Sequence, residues 1–219
     1  MSNRNKLLIL LFLLVIIVML RGTMAVFTSK DIVVNEFDTG SINIEIDEGS
    51  FENIFDWKGN LTTKSVSIKN NGKSDCLVRV AVIPRWSNMD GSNFIGDTSM
   101  IQLNFSNYLV STLVESKGLD NYWIYGDDGY FYYMNKLSSG ESTSELLSSV
   151  KIKDGFKLPD EYKDKILIVD IKTEAVQATC YDADRDGILE YQFKSSWINL
   201  SEKIYEILKG IVDNKKLKR

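Results

Sequence analysis

Ile42-Asn43-Ile44-Glu45-Ile46-Asp47 alternates apolar and polar residues without a break. Successive side chains of an extended chain point to opposite faces, so this stretch places three isoleucines on one side and three polar groups on the other. A helix would scatter both sets around its circumference, and the pattern reads as a half-buried β-strand. Downstream the same period continues. Val66 and Ile68 begin a second strand, Asn70-Asn71-Gly72 is a turn signal, and Cys76 to Ile83 returns with Val78, Val80 and Val82 on one face, which predicts a β-hairpin. Trp123-Ile124-Tyr125, Gly126-Asp127-Asp128-Gly129 and Tyr130-Phe131-Tyr132-Tyr133 predict another. Ile166 to Ala178 is the longest strand candidate, with Leu167, Val169, Ile171 and Ala175 sharing a face. Strands joined by Gly, Asn and Asp turns predict an all-β, two-sheet antiparallel sandwich.

Helical signals are fewer. Ser142 to Val150 reads as a short helix, with Ser142 as cap and Glu145 three residues later. Leu200, Ile204, Ile207, Leu208 and Ile211 recur at helical spacing behind Ser201 and Glu202, which predicts an amphipathic C-terminal helix. Lys215, Lys216, Lys218 and Arg219 then make a basic tail, favourable at a helix C-terminus and suited to anionic cell-wall polymers.

Upstream of the first strand the character changes. Arg4 and Lys6 precede an unbroken apolar run from Leu7 to Leu20. As a helix that run spans about 21 Å, short of a bilayer core of about 30 Å. Thr23 and Ala25 follow at the −3 and −1 positions of a small-x-small cleavage site. Residues 1–25 are therefore expected to be a cleaved signal peptide, with Val26 the first mature residue. The expected organisation is a signal peptide over 1–25, one β-sandwich domain over 26–199, and a helix with its basic tail over 200–219. Cleavage removes three cations and no acid, taking the net charge from −4 to −7, which argues against nucleic acid as a partner.

The sequence contains no His. That excludes a His-Glu-x-x-His zinc site, a Ser-His-Asp triad and a Cys-His pair. Cys76 and Cys180 are left open between a disulfide and two free thiols. Asp182-Ala183-Asp184-Arg185-Asp186-Gly187 matches the first half of a calcium loop, with Glu190 as a further candidate ligand. Phe193 stands where a complete EF-hand needs Glu, so the choice is between a looser Ca²⁺ site and an acidic hairpin tip. The aromatics between Tyr122 and Tyr133 suit cross-strand pairing better than a sugar platform. Asn60-Leu61-Thr62, Asn104-Phe105-Ser106 and Asn199-Leu200-Ser201 fit the glycosylation triplet, which matters only in a eukaryotic secretory pathway.

Several segments in order resemble a known family. They are Ala25-Val26-Phe27-Thr28-Ser29, Val34-Asn35-Glu36-Phe37-Asp38-Thr39-Gly40 with the strand to Glu48, and Asn70-Asn71-Gly72 before Val78-Arg79-Val80. Gly129-Tyr130-Phe131-Tyr132-Tyr133 leading to Leu137-Ser138-Ser139-Gly140-Glu141-Ser142-Thr143 follows, then Glu174-Ala175-Val176-Gln177-Ala178 and Trp197. Together they are similar to the camelysin/TasA-type proteins, biofilm-matrix fibre subunits of Gram-positive bacteria, in their clostridial branch. The acidic stretch from Cys180 to Phe193 and the helix after Trp197 depart from that pattern.

The resemblance implies a jelly-roll-like sandwich, a dedicated signal peptidase, and self-association on the cell surface through the new N-terminal segment. Residues 26–37, with Phe27, Ile32, Val33, Val34 and Phe37, would be a donor strand completing a sheet in a neighbouring copy. The functional expectation is a secreted, non-enzymatic fibre or matrix subunit that requires no cofactor. Its rivals are a monomeric exported Ca²⁺-dependent binding module and, less well supported without His, a metallopeptidase.

Overall fold

A computed structural model describes residues 41–49, 54–55, 57–110 and 121–213, with 54–55 described by backbone alone. The expected signal peptide, the donor segment 26–37 and the basic tail lie outside the described residues.

The longest elements set the frame. β4 (Cys76–Asn88) and β11 (Lys165–Gln177) pair antiparallel along their whole length, from Gln177 opposite Cys76 to Lys165 opposite Asn88. β9 (Phe131–Tyr133), β8 (Trp123–Tyr125) and β7 (Leu109–Val110) continue this sheet beyond β4. β5 (Asn93–Phe94) pairs the end of β4, and β2 (Ile54–Phe55) pairs the start of β11, making seven strands. A four-stranded sheet runs β1 (Ile44–Asp47), β3 (Thr62–Asn70), β10 (Leu147–Ile152), β6 (Ile101–Phe105). β12 (Cys180–Tyr181) and β13 (Glu190–Tyr191) form a third, two-stranded sheet. Two α-helices follow among the described residues, α1 (Gln192–Ser196) and α2 (Glu202–Val212). The fold is β-rich, with three sheets and two α-helices among the described residues.

Side chains from the two larger sheets meet in two apolar clusters. In one, Val66, Leu147 and Val150 pack with Trp86, Leu167 and Val169; in the other, Ile68 and Leu146 pack with Val78, Val80, Trp123 and Phe131. A third cluster lies on the opposite face of the seven-stranded sheet. There Leu77, Ile124, Tyr132 and Val176 are covered by Phe193, Trp197, Ile204, Ile207, Leu208 and Val212. β4 therefore buries both faces, which is why Cys76 to Ala81 is apolar almost without interruption.

The hairpin expected at Trp123–Tyr133 forms, with Ile124 opposite Tyr132 and Gly126 N–H donating to the Tyr130 carbonyl at 2.7 Å. Its aromatics pair across the strands, Trp123 with Tyr133 at 5.1 Å and Tyr125 with Phe131 at 4.7 Å, and Tyr125 alone among the residues of β8 and β9 is exposed. The strand expected over 166–178 is β11. Ser201 caps α2 through its Oγ, which accepts from Ile204 N–H, and Ile204, Ile207 and Leu208 are buried as their spacing indicated.

Three expectations are corrected. β3 and β4 are not a hairpin, because they belong to different sheets and the edges of β3 are taken by β1 and β10. Their apolar faces meet across the interior instead, Ile68 packing with Val78 and Val80. Asn70 holds the crossover: its amide donates to Ser74 O and Leu137 O, and its Oδ1 accepts from Gly72 N–H. Gly72 passes so near the backbone of Ser41 and Asn43 that a Cβ would strike both.

The segment Ser142–Val150 is not a helix, for it contains the first part of β10, inserted between β3 and β6. A bulge between Leu147 and Ser149 breaks the period of two, so Leu146, Leu147 and Val150 are all buried at what looks like helical spacing. Nor is the sheet pairing wholly antiparallel, since β7 runs parallel to β8 with Leu109 opposite Trp123.

Candidate functional site

Among the described residues, one long side of β11 has no neighbouring strand beyond its first residues. β2 pairs only Ile166 and Leu167, and no described strand lies beside Ile168 to Val176 on that side. An unpaired strand edge is a ready template for another chain. The inner-facing side chains along it, Ile171 and Ala175, are only partly buried, as are Ile42 and Ile44 at the end strand of the four-stranded sheet; all four pack on the same cluster. Between Ile171 and Ala175, Thr173 holds a buried hydroxyl with no hydrogen-bond partner among the described residues. Lys64 is buried on the inner face of β3, 3.1 Å from Glu48. Burial pulls its ammonium below the ordinary value, against the pull of Glu48. The apolar rows and the unmet hydroxyl together describe a side of the molecule that another strand could complete.

A second constellation lies on the outer face, where sequence reasoning singled out no chemistry. Arg79 is buried, its Nε and Nη2 donating to Glu174 Oε2 at 2.9 and 2.7 Å. Its Nη1 reaches Asp128 Oδ2 at 3.3 Å and Tyr132 Oη at 3.2 Å. Tyr130 Oη donates to Glu174 Oε1 at 2.9 Å, and Tyr132 Oη to Asp128 Oδ2 at 2.5 Å. The guanidinium stacks on the Tyr130 ring at 4.0 Å and lies 5.1 Å from the Trp197 ring. Burial works against its charge, yet the bonds to Tyr132 and Glu174 outweigh that and hold its pKa above the ordinary value.

The network joins β4, β11 and the β8–β9 turn to Trp197 at the end of α1. Its shape is that of a clamp on the Arg79 guanidinium. One signal was legible: an Arg between Val78 and Val80, in the otherwise apolar run from Cys76 to Pro84, needs partners.

Cys76 and Cys180 do not pair; both thiols are free. Cys76 lies between the two larger sheets, whereas Cys180 packs with the cluster under α2, so the seven-stranded sheet separates them. Burial, with Asp75 second, pushes the Cys76 thiol up to about 12.

Asp182, Asp184, Asp186 and Glu190 sit on the β12–β13 hairpin, all exposed. The Asp182 carboxylate accepts the N–H groups of Asp186 and Gly187 at 3.1 and 3.0 Å, and Asp186 accepts that of Ile188 at 2.8 Å. Among the described residues no group of three or more ligating side chains is arranged to hold a metal. Phe193 at the twelfth loop position is core, fully buried beside Tyr191.

Comparison of the chain with protein-family models, with curated proteins and with solved structures finds no match. Among the described residues no helix is long and apolar enough to cross a membrane.

Proposed function

We propose that this chain is an exported, non-enzymatic structural subunit of cell-surface fibres or biofilm matrix, its copies joined through the N-terminal segment 26–37. In this reading the two larger sheets form a jelly-roll-like sandwich, a signal peptidase frees Val26, and the freed segment pairs with a neighbouring copy. The observation that carries it is the side of β11 from Ile168 to Val176, unpaired among the described residues, half-buried at Ile171 and Ala175, and holding the Thr173 hydroxyl, which has no partner among them. An added strand of alternating side chains would pair the backbone and cover the apolar row. The absence of His removes the His-Glu-x-x-His zinc site and the Ser-His-Asp triad, which weighs against the peptidase rival.

The test is assembly of the secreted protein, followed by electron microscopy. A protein beginning after Phe37 is expected to stay folded and form no fibres, and the free 26–37 peptide to raise its melting temperature by mass action. Fibres of ordinary length from the shortened protein would refute strand donation. The rival, a Ca²⁺-dependent binding module, requires millimolar Ca²⁺ to raise the melting temperature and Asp184→Ala to abolish the gain. Equal melting with Ca²⁺ and with a chelator would dismiss it.

A further inference from the structure

The β4–β11 ladder ends in two surfaces of opposite character. Beside the start of β11 lies a cleft of about 450 Å³ between the 57–59 turn and the 152–163 connection. Lys58, Lys153, Lys157 and Lys163 line it, against Asp154 and Asp160. Those two acids are already engaged, by Lys151 and Lys163 at 2.8 Å each. Lys153 and Lys157 then leave the cleft cationic, and Phe156 stands 59 % exposed in its wall. Beyond the far end of β11 lies the β12–β13 hairpin, whose tip carries Asp182, Asp184, Asp186 and Glu190 against the single cation Arg185. It is also apolar: Ile188 is 68 % and Leu189 49 % exposed. The amides bound by Asp182 hold the tip in one shape, which lowers the entropy cost of docking it.

We infer that the acidic hairpin tip of one copy seats in the lysine cleft of the next, as a second contact along the fibre. The inference rests on the fibre reading for its partner. Charge complementarity selects the occupant: a rigid anionic tip with two exposed aliphatic residues matches a cationic cleft with an exposed aromatic wall. Position selects a second copy over self-closure. β11 has 13 residues, so its two ends, beside which the surfaces lie, stand about 40 Å apart at a strand rise of about 3.3 Å per residue. One chain cannot bring them together, whereas copies in line can. Two different patches meeting head to tail make a heterologous contact, which propagates as an open filament when its rotation does not close a ring. The strand direction becomes the fibre direction.

The experiment uses protein recovered from the medium of a secreting Gram-positive host and measures its critical concentration for assembly in low salt. Asp184→Lys with Glu190→Lys reverses the tip, leaving untouched the carboxylates that bind its backbone. Lys153→Glu with Lys157→Glu reverses the cleft. Each double variant is expected to raise the critical concentration about tenfold or more through like-charge opposition. An equimolar mixture is expected to return to within about twofold of wild type, because the reversed tip then meets the reversed cleft and the native tip the native cleft.

Wild-type fibres together with variants that assemble equally well would overturn this contact and leave the fibre reading intact. Failure of the mixture to restore assembly would also overturn it. A wild-type protein that stays monomeric at every concentration would overturn both readings together. Lost binding of purified teichoic acid by the cleft variant, with its assembly unchanged, would assign the cleft to an anionic polymer and overturn the contact.

Discussion

The seven-stranded sheet is covered on its two faces by different means. Its inner face meets the four-stranded sheet through Trp86, Val78, Val80, Leu167 and Val169, with the Trp86 indole tilted on Tyr162 at 4.7 Å and on Trp57 at 6.2 Å. Its outer face meets α1 and α2 through an apolar cluster with a charged clamp set in it, Arg79 with Glu174 and Asp128. The inner face is held by burial, which is strong but undirected. The outer face adds directed bonds, which contribute less net energy and fix where the last elements sit. The inner packing accordingly makes the fold, and the outer layer is laid on it in a specified place.

The largest test of this contrast is Trp86→Ala. Loss of a nearly fully buried indole from the inner face should cost about 3–5 kcal/mol and lower the midpoint of a single cooperative denaturation. A loss under 1 kcal/mol would mean the inner face does not carry the fold. Leu208→Ala should cost about 2–4 kcal/mol. In native-state hydrogen exchange it should release the α2 amides before those of β4 and β11. Simultaneous release would show one cooperative unit and break the contrast.

Arg79→Ala should cost about 2 kcal/mol, reduced from a deeply buried pair because Glu174 is 42 % exposed. Trp197 fluorescence should change in that variant while the β-sheet circular dichroism is retained.

Alkaline pH acts on the inner face through the Cys76 thiol and the Tyr133 phenol, both pushed up to about 12 mainly by burial, and burial raises Tyr132 and Tyr191 on the outer face as well. Folding keeps their protons, so the associated stability is complete below the ordinary values of 9.0 and 10.0. It is lost as pH rises from there toward about 12, because only the unfolded chain ionises freely in that window. Urea midpoints measured between pH 8 and 11 should fall, with onset near pH 9; a flat profile would mean these groups are not desolvated. Ser201→Ala is the smallest expected effect, about 0.5–1 kcal/mol, from the lost cap on Ile204 N–H.

The 123–133 hairpin and α2 were legible because the residues that form them also partner one another: cross-strand aromatics in one, an apolar stripe behind its cap in the other. The 66–83 segment carries an equally strong turn signal, yet its strands part into separate sheets. A turn reverses the chain but does not assign hydrogen-bond partners, and β1 and β10 occupy both edges of β3. The bulge in β10 gave a strand the spacing of a helix. Of the candidate site residues, the acidic loop was recognised as a hairpin tip or a metal loop. Arg79, Asp128, Glu174 and Trp197 stayed unread as a group because they come from four separate stretches of chain.

The sequence by itself determined the β-rich character, the long strand read at 166–178, the C-terminal helix and its cap, and the exclusion of His-dependent chemistry. These follow from local periodicity and from composition, which need no knowledge of neighbours. Only the tertiary structure decided which sheet each strand joins, that both faces of β4 are buried, that the two thiols lie on opposite sides of a sheet, and that Arg79 is clamped. Each of those depends on which distant segments compete for one edge or one face, and that competition is settled by packing the whole chain at once.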